Sequence, residues 1–121
     1  MSLIARHPEE NGVPTVIMGC ARDIVENTGV PRFLWSNFPL GNSAGKPHDV
    51  DSQRKTLNRA LSLFDTATAP DTTVVSDQRW GDDDAWQDDF MNVDQLSAAQ
   101  IEKLKRDFQH QKDVANTLKS K

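Results

Sequence analysis

The stretch GVPTVIMGCARDIVENTGVPRFLWSNFPLGN, Gly12 to Asn42, decides the fold. Within it, Thr15 to Met18 and Arg32 to Trp35 are short runs that are apolar on both faces, the pattern of buried parallel strands. Between them, Ala21 to Thr28 reads as about two turns of helix, ended by Gly29 and closed off by Pro31. Strand, helix and strand in this order join by a right-handed crossover, here close to the shortest that works. Each strand runs into a loop of chemically useful residues: Gly19 and Cys20 after the first, and Asn37, Pro39, Gly41 and Asn42 after the second. Ligands of open α/β sheets collect beyond the carboxyl ends of the strands, so the two loops are expected to build one pocket.

Upstream of this stretch, Ile4 to Asn11 reads as the tail of a helix, with Pro8 as an anomaly and Gly12 at the C-cap position. Downstream, the loop Ser36 to His48 contains two glycines and two prolines and is therefore shaped. Asp49 or Asp51 is positioned to cap the next helix, on which Leu57, Ala60, Leu61 and Phe64 recur as an expected buried stripe. Thr72 to Val75 is expected to be an edge strand. Asp77 to Asp89 mixes six aspartates with Trp80 and Trp86 and reads as an extended arm. Ser97 and Gln100 form a capping box ahead of a long helix, with Ile101, Leu104, Phe108, Ala115 and Leu118 on a weakly apolar face. The expected organisation is a small parallel-sheet α/β domain (1–70), an extended acidic arm (71–96) and a C-terminal helix (97–121).

Composition narrows the function classes. Of 121 residues, 36% are hydrophobic and the formal charge is −4. The longest apolar run is too short to span a membrane, and the N-terminus lacks the pattern of a secretory signal, so the cytoplasm is the expected compartment. A net acidic chain is a poor general binder of nucleic acid. The one cysteine, Cys20, excludes an intrachain disulfide and a thiolate zinc cluster, and His7, His48 and His110 match no metal spacing.

Cys20 is the candidate catalytic residue. At the start of a helix its thiolate would be stabilised, which suits a nucleophile or a polar ligand contact, although a free cysteine more often serves as a small buried hydrophobe. Asp23 suits a helix N-terminus by charge alone. Arg22 is placed to pair with a substrate carboxylate or to remain solvated. The amides of Asn37 and Asn42 can hold either a ligand or their own loop, which Pro39 and Gly41 shape. With Gly19, these residues form the candidate substrate-binding set. The glycines do not make a dinucleotide fingerprint, and Asp82, Asp83 and Asp84 lack the spacing of a calcium loop. Trp80 and Trp86 read as anchors, onto a partner in preference to the body of the protein.

GVPTVIMGC, PRFLWSNFPLGN and a leucine-bearing helix from near Asp51 together resemble the C-terminal part of the selenoprotein B family of glycine, sarcosine and betaine reductases. The shorter relatives of that family are most similar, with an RTTV-like segment, a tryptophan and a polar helix following; here these are Asp71 to Val75, Trp80 and the helix after Ser97. The resemblance implies a flavodoxin-like or Rossmann-like fold. It also implies reductive cleavage at the α-carbon of glycine or an N-methylated derivative, with the carboxymethyl group passed to selenium. The family's selenocysteine or cysteine motif lies upstream of the PTV strand, and this chain is expected to begin after it. Cys20 then matches a pocket neighbour of the nucleophile. The expectation is an oxidoreductase-like chain, inactive or nearly so alone and using no cofactor. It would self-associate as a dimer or higher oligomer through arm and tail, and would meet other reductase subunits. Two alternatives stand beside it: a free-standing thiol enzyme using Cys20, and a non-enzymatic oligomerisation or assembly module.

Overall fold

The computed structural model describes residues 2–89 and 92–119. The chain divides into two units, Met1–Gln87 and Asp88–Lys121. In the first, β1 (Ile17–Gly19), β2 (Arg32–Trp35) and β3 (Thr72–Val75) form a three-stranded sheet in the order β1-β2-β3, all parallel. Mixed α/β architecture with a small parallel sheet is thus what the chain adopts. Helix α1 (Ser2–Glu10) carries Pro8 within it, and α2 (Arg22–Thr28) is the crossover from β1 to β2. Helix α3 (Val50–Thr66) is the crossover from β2 to β3. Thr72 to Val75 lies at the sheet edge, as its sequence suggests.

The register explains why both strand runs are apolar after their first residues, Thr15 and Arg32. Ile17 pairs with Phe33, Met18 with Leu34 and Gly19 with Trp35, and on the other side Leu34 pairs with Val74 and Trp35 with Val75. Alternation sends Ile17, Phe33 and Trp35 to one face, where they pack with Val25 of α2 and Val30. Met18, Leu34 and Val74 go to the other face, against Ala60 and Leu63 of α3. Both faces are therefore covered, as parallel sheets require.

Helix α3 starts where its sequence indicates: the Asp49 carboxylate accepts the Ser52 N–H at 2.9 Å. Its buried stripe differs from the expected one. Ser52, Thr56, Ala60 and Leu63 face the sheet, whereas Leu57, Leu61 and Phe64 are 50%, 49% and 37% exposed. Of the four expected positions only Ala60 is buried. The reason is chemical: Ser52 and Thr56 are held inward by Gln78, with Ser52 Oγ donating to Gln78 Oε1 and Gln78 Nε2 donating to Thr56 Oγ1, each at 2.8 Å. Two buried hydroxyls with partners cost little, and they turn the leucines aside.

At the opposite end of the sheet, Glu9 ties α1 to β2. Its carboxylate accepts the Arg32 guanidinium at 2.9 Å, the Thr15 hydroxyl at 2.9 Å and the Thr15 N–H. Burial alone would raise the Glu9 pKa, but the Thr15 and Arg32 contacts outweigh it and hold the carboxyl below its ordinary value.

Residues 77–89 form bends ending in the short helix α4 (Trp86–Asp89). In the second unit, a 3-10 turn (Val93–Gln95) precedes α5 (Ala98–Lys119). The Ser97 and Gln100 capping box forms: Gln100 Oε1 accepts the Ser97 N–H at 2.9 Å, and Ser97 Oγ accepts the Gln100 N–H at 3.3 Å. On α5, Leu104 and Phe108 are exposed at 56% and 65%. The Leu118 side chain and residues 120 and 121 of the expected tail lie outside the described residues. Among the described residues no helix is long and apolar enough to cross a membrane.

Candidate functional site

The parallel ladder runs one residue beyond the strands. Ser36 N–H donates to the Gly19 carbonyl at 3.0 Å, and Ser76 N–H to the Trp35 carbonyl at 2.7 Å. Continuing the Met18, Leu34, Val74 row by two residues places Cys20, Ser36 and Ser76 in one line across the carboxyl end of the sheet. At the usual strand spacing, Cys20 and Ser76 are about 10 Å apart. Ser36 is fully buried, and its hydroxyl has no hydrogen-bond partner among the described residues. The three strands VIMG, RFLW and TTVV each end in a small side chain bearing sulfur or oxygen. That shared offset was the sequence signal for Ser36 and Ser76, which composition and spacing around Cys20 alone do not single out.

Cys20 is half-buried. Burial pushes its thiol above the usual value, while the backbone N–H groups of Asn42 and Phe38 pull less strongly in the other direction. The net direction is opposite to that expected of a helix start, because Cys20 lies before the N-cap Ala21 and burial of the sulfur dominates. Cys20 and the 37–42 loop are therefore brought together, as the two-loop reading requires. The Cys20 carbonyl accepts Trp35 Nε1–H at 2.9 Å, which pins the backbone at the strand end.

The other sequence-derived residues divide into two groups. Asn42 Nδ2 donates to the Pro39 carbonyl at 3.1 Å, so this amide holds its own loop. Gly41, at φ +97°, turns the exposed tip, and Pro39 is buried beneath it. Gly19 leaves room for the Phe33 ring, which would lie 3.1 Å from a Cβ there. Arg22 lies over the Trp35 ring at 5.3 Å and pairs with Glu26 at 2.9 Å, within its own helix. Asn37 is partly exposed, and its amide has no partner among the described residues. Trp80 packs edge-on against Phe38, with ring centroids 5.4 Å apart, and so clamps the loop from the β3 side. Trp80 is accordingly an anchor onto the body of its own chain. No group of three His, Cys, Asp or Glu side chains able to hold a metal occurs among the described residues, the Asp82–Asp84 run included.

Beyond β3 the polar character deepens. Gln78 joins Ser52 and Thr56 under a cleft of about 330 Å³ that is lined by charged side chains. Gly45 closes this region. At φ +115° it brings the loop so near α3 that a Cβ would sit 2.7 Å from the Gln53 Cα, and it lets Lys46 N–H reach Ser52 Oγ at 3.1 Å.

The carboxyl end of the parallel sheet carries a thiol, two hydroxyls and a shaped loop, at the end where open α/β sheets bind their ligands. No family model matches the chain, and no solved structure matches it. Among curated proteins, the chain is similar to the D-proline reductase subunit gamma of Acetoanaerobium sticklandii, at 33% identity over 59 residues. That segment is 49% of this chain and 24% of the relative. The chain thus matches about a quarter of the length of that protein.

Proposed function

We propose that the chain is a pocket-forming part of an amino-acid reductase, related to the glycine, sarcosine and betaine reductases of the selenoprotein B type. The observation that carries this reading is the 33% identity over 59 residues with a subunit of D-proline reductase. Its name places reductive chemistry on an amino acid. The strand-end position of Cys20 and the 37–42 loop supports the reading from a second side, since open α/β sheets bind ligands at that end.

In this reading Cys20 is not the attacking group. A reductive displacement at carbon calls for an ionised chalcogen, and a thiol that burial keeps protonated near neutrality is poorly suited to it. The nucleophile is supplied by another chain or segment, electrons come from a dithiol, and the partners are further reductase subunits in the cytoplasm. Self-association through the acidic residues and the apolar side of α5 accompanies this, with Leu104 and Phe108 exposed for it.

The test is dithiol-dependent reduction of glycine and D-proline by this chain co-expressed with the reading frame immediately upstream of its own. Turnover is expected with both polypeptides and with neither alone. Full turnover by this chain alone would replace the reading with the thiol-enzyme alternative, and absence of turnover from the pair would leave an assembly module.

A further inference from the structure

Helix α5 runs for 22 residues, and from Glu102 to Thr117 every one of them is exposed. Its apolar positions are therefore uncovered among the described residues. Ile101, Leu104, Phe108, Gln111 and Ala115 follow one another at intervals of three, four, three and four, which are the a and d positions of a heptad repeat. Lys105 and Lys112 then fall at e, and Asp107 at g. The Lys112 ammonium lies 6.0 Å from the centroid of its own Phe108 ring and so flanks the seam. The opposite face is satisfied within the helix: Gln109 donates to the Asp113 carboxylate at 2.9 Å, and the Thr117 hydroxyl to the Asp113 carbonyl at 2.8 Å.

We infer that α5 pairs with α5 of a second copy of this chain, as a parallel, in-register two-stranded coiled coil. Charge selects the direction. In a parallel pair each g residue faces the e residue five positions on, so Asp107 meets the partner's Lys112, once on each side of the seam. An antiparallel pair sets e against e and hence lysine against lysine. The seam's polar residue selects the register. With the helices level, Gln111 lies opposite its own copy and the two amides can bond to each other, whereas a shifted or reversed pair buries each amide against Ile101 or Phe108 without a partner. An unrelated helix would have to supply both complements, and a second copy carries them already. The pairing specifies the self-association proposed above and rests on that part of the reading, not on the reductase chemistry.

The experiment is sedimentation equilibrium of the full chain over a range of concentrations, with K112D, D107K and the double variant D107K/K112D, and helicity checked by circular dichroism. The unsubstituted chain is expected to dimerise. K112D and D107K each create two like-charge pairs and should weaken the dimer about tenfold, and the double variant, which exchanges the charges, should restore it. Tightening by K112D would overturn the inference in favour of an antiparallel pair, because it sets aspartate against Lys105. A dimer indifferent to all three variants would also overturn it, leaving self-association through another surface, and a chain monomeric throughout would overturn both. Failure of the reductase reading looks different: the charge-exchange pattern holds, but the co-expressed polypeptides turn nothing over.

Discussion

Single residues at the strand ends set what this protein can do chemically. The Cys20 sulfur lies under the 37–42 loop, where loss of solvent outweighs the two amides directed at it. Native Cys20 should therefore alkylate slowly with iodoacetamide near neutrality, and its rate should rise only at a pH above that of an ordinary free thiol. Rapid neutral labelling would show a thiolate instead. Gly45 is the most constrained glycine, combining positive φ with a backbone neighbour 2.7 Å from any added Cβ. Gly45→Ala is expected to cost about 2–4 kcal/mol, read by chemical denaturation, and to detach the loop from α3. Glu9 supplies a pH dependence. Its carboxyl is depressed in the fold, so the contribution is present above the ordinary carboxylate pKa and is lost as pH falls through the lower folded value. Glu9→Gln should flatten this acid limb of the stability profile.

Among the elements, α3 shows best what the sequence reveals and what it conceals. Its start was legible to within two residues, with Asp49 or Asp51 as the cap and Asp49 found in that role, because capping is local chemistry. Its buried face was not, because periodicity ranks Leu57, Leu61 and Phe64 above Ser52 and Thr56, and only the distant Gln78 reverses that order. Leu63→Ala should accordingly cost about 2–5 kcal/mol, as for a fully buried leucine, whereas Leu61→Gln should stay within about 1 kcal/mol. Equal effects would contradict the observed orientation. Two of the three strands were legible to the residue, Arg32 to Trp35 and Thr72 to Val75, whereas the first is found at Ile17–Gly19 in place of the expected Thr15 to Met18. Of the site, the meeting of Cys20 with the 37–42 loop followed from topology. The row through Ser36 and Ser76 did not, since it appears only when the three strands are set in register. Asn42 also turned inward to its own loop, a choice between two hydrogen bonds that no pattern of residue types decides.

At the scale of the whole molecule, the sheet among the described residues has three strands, with β1 and β3 at its edges. Along the same chain Leu57 and Leu61 on α3, and Leu104 and Phe108 on α5, are left exposed. These features suit a chain that works with others, and the proposed division of labour follows: this chain forms the pocket, and a second polypeptide brings the chalcogen. The most direct measurement is the turnover number of the co-expressed pair carrying Cys20→Ser. A reductase within about tenfold of the unsubstituted pair is expected, because Cys20 is proposed to line the site without attacking. A loss of about a thousandfold or more, as when a nucleophile is removed, would contradict it.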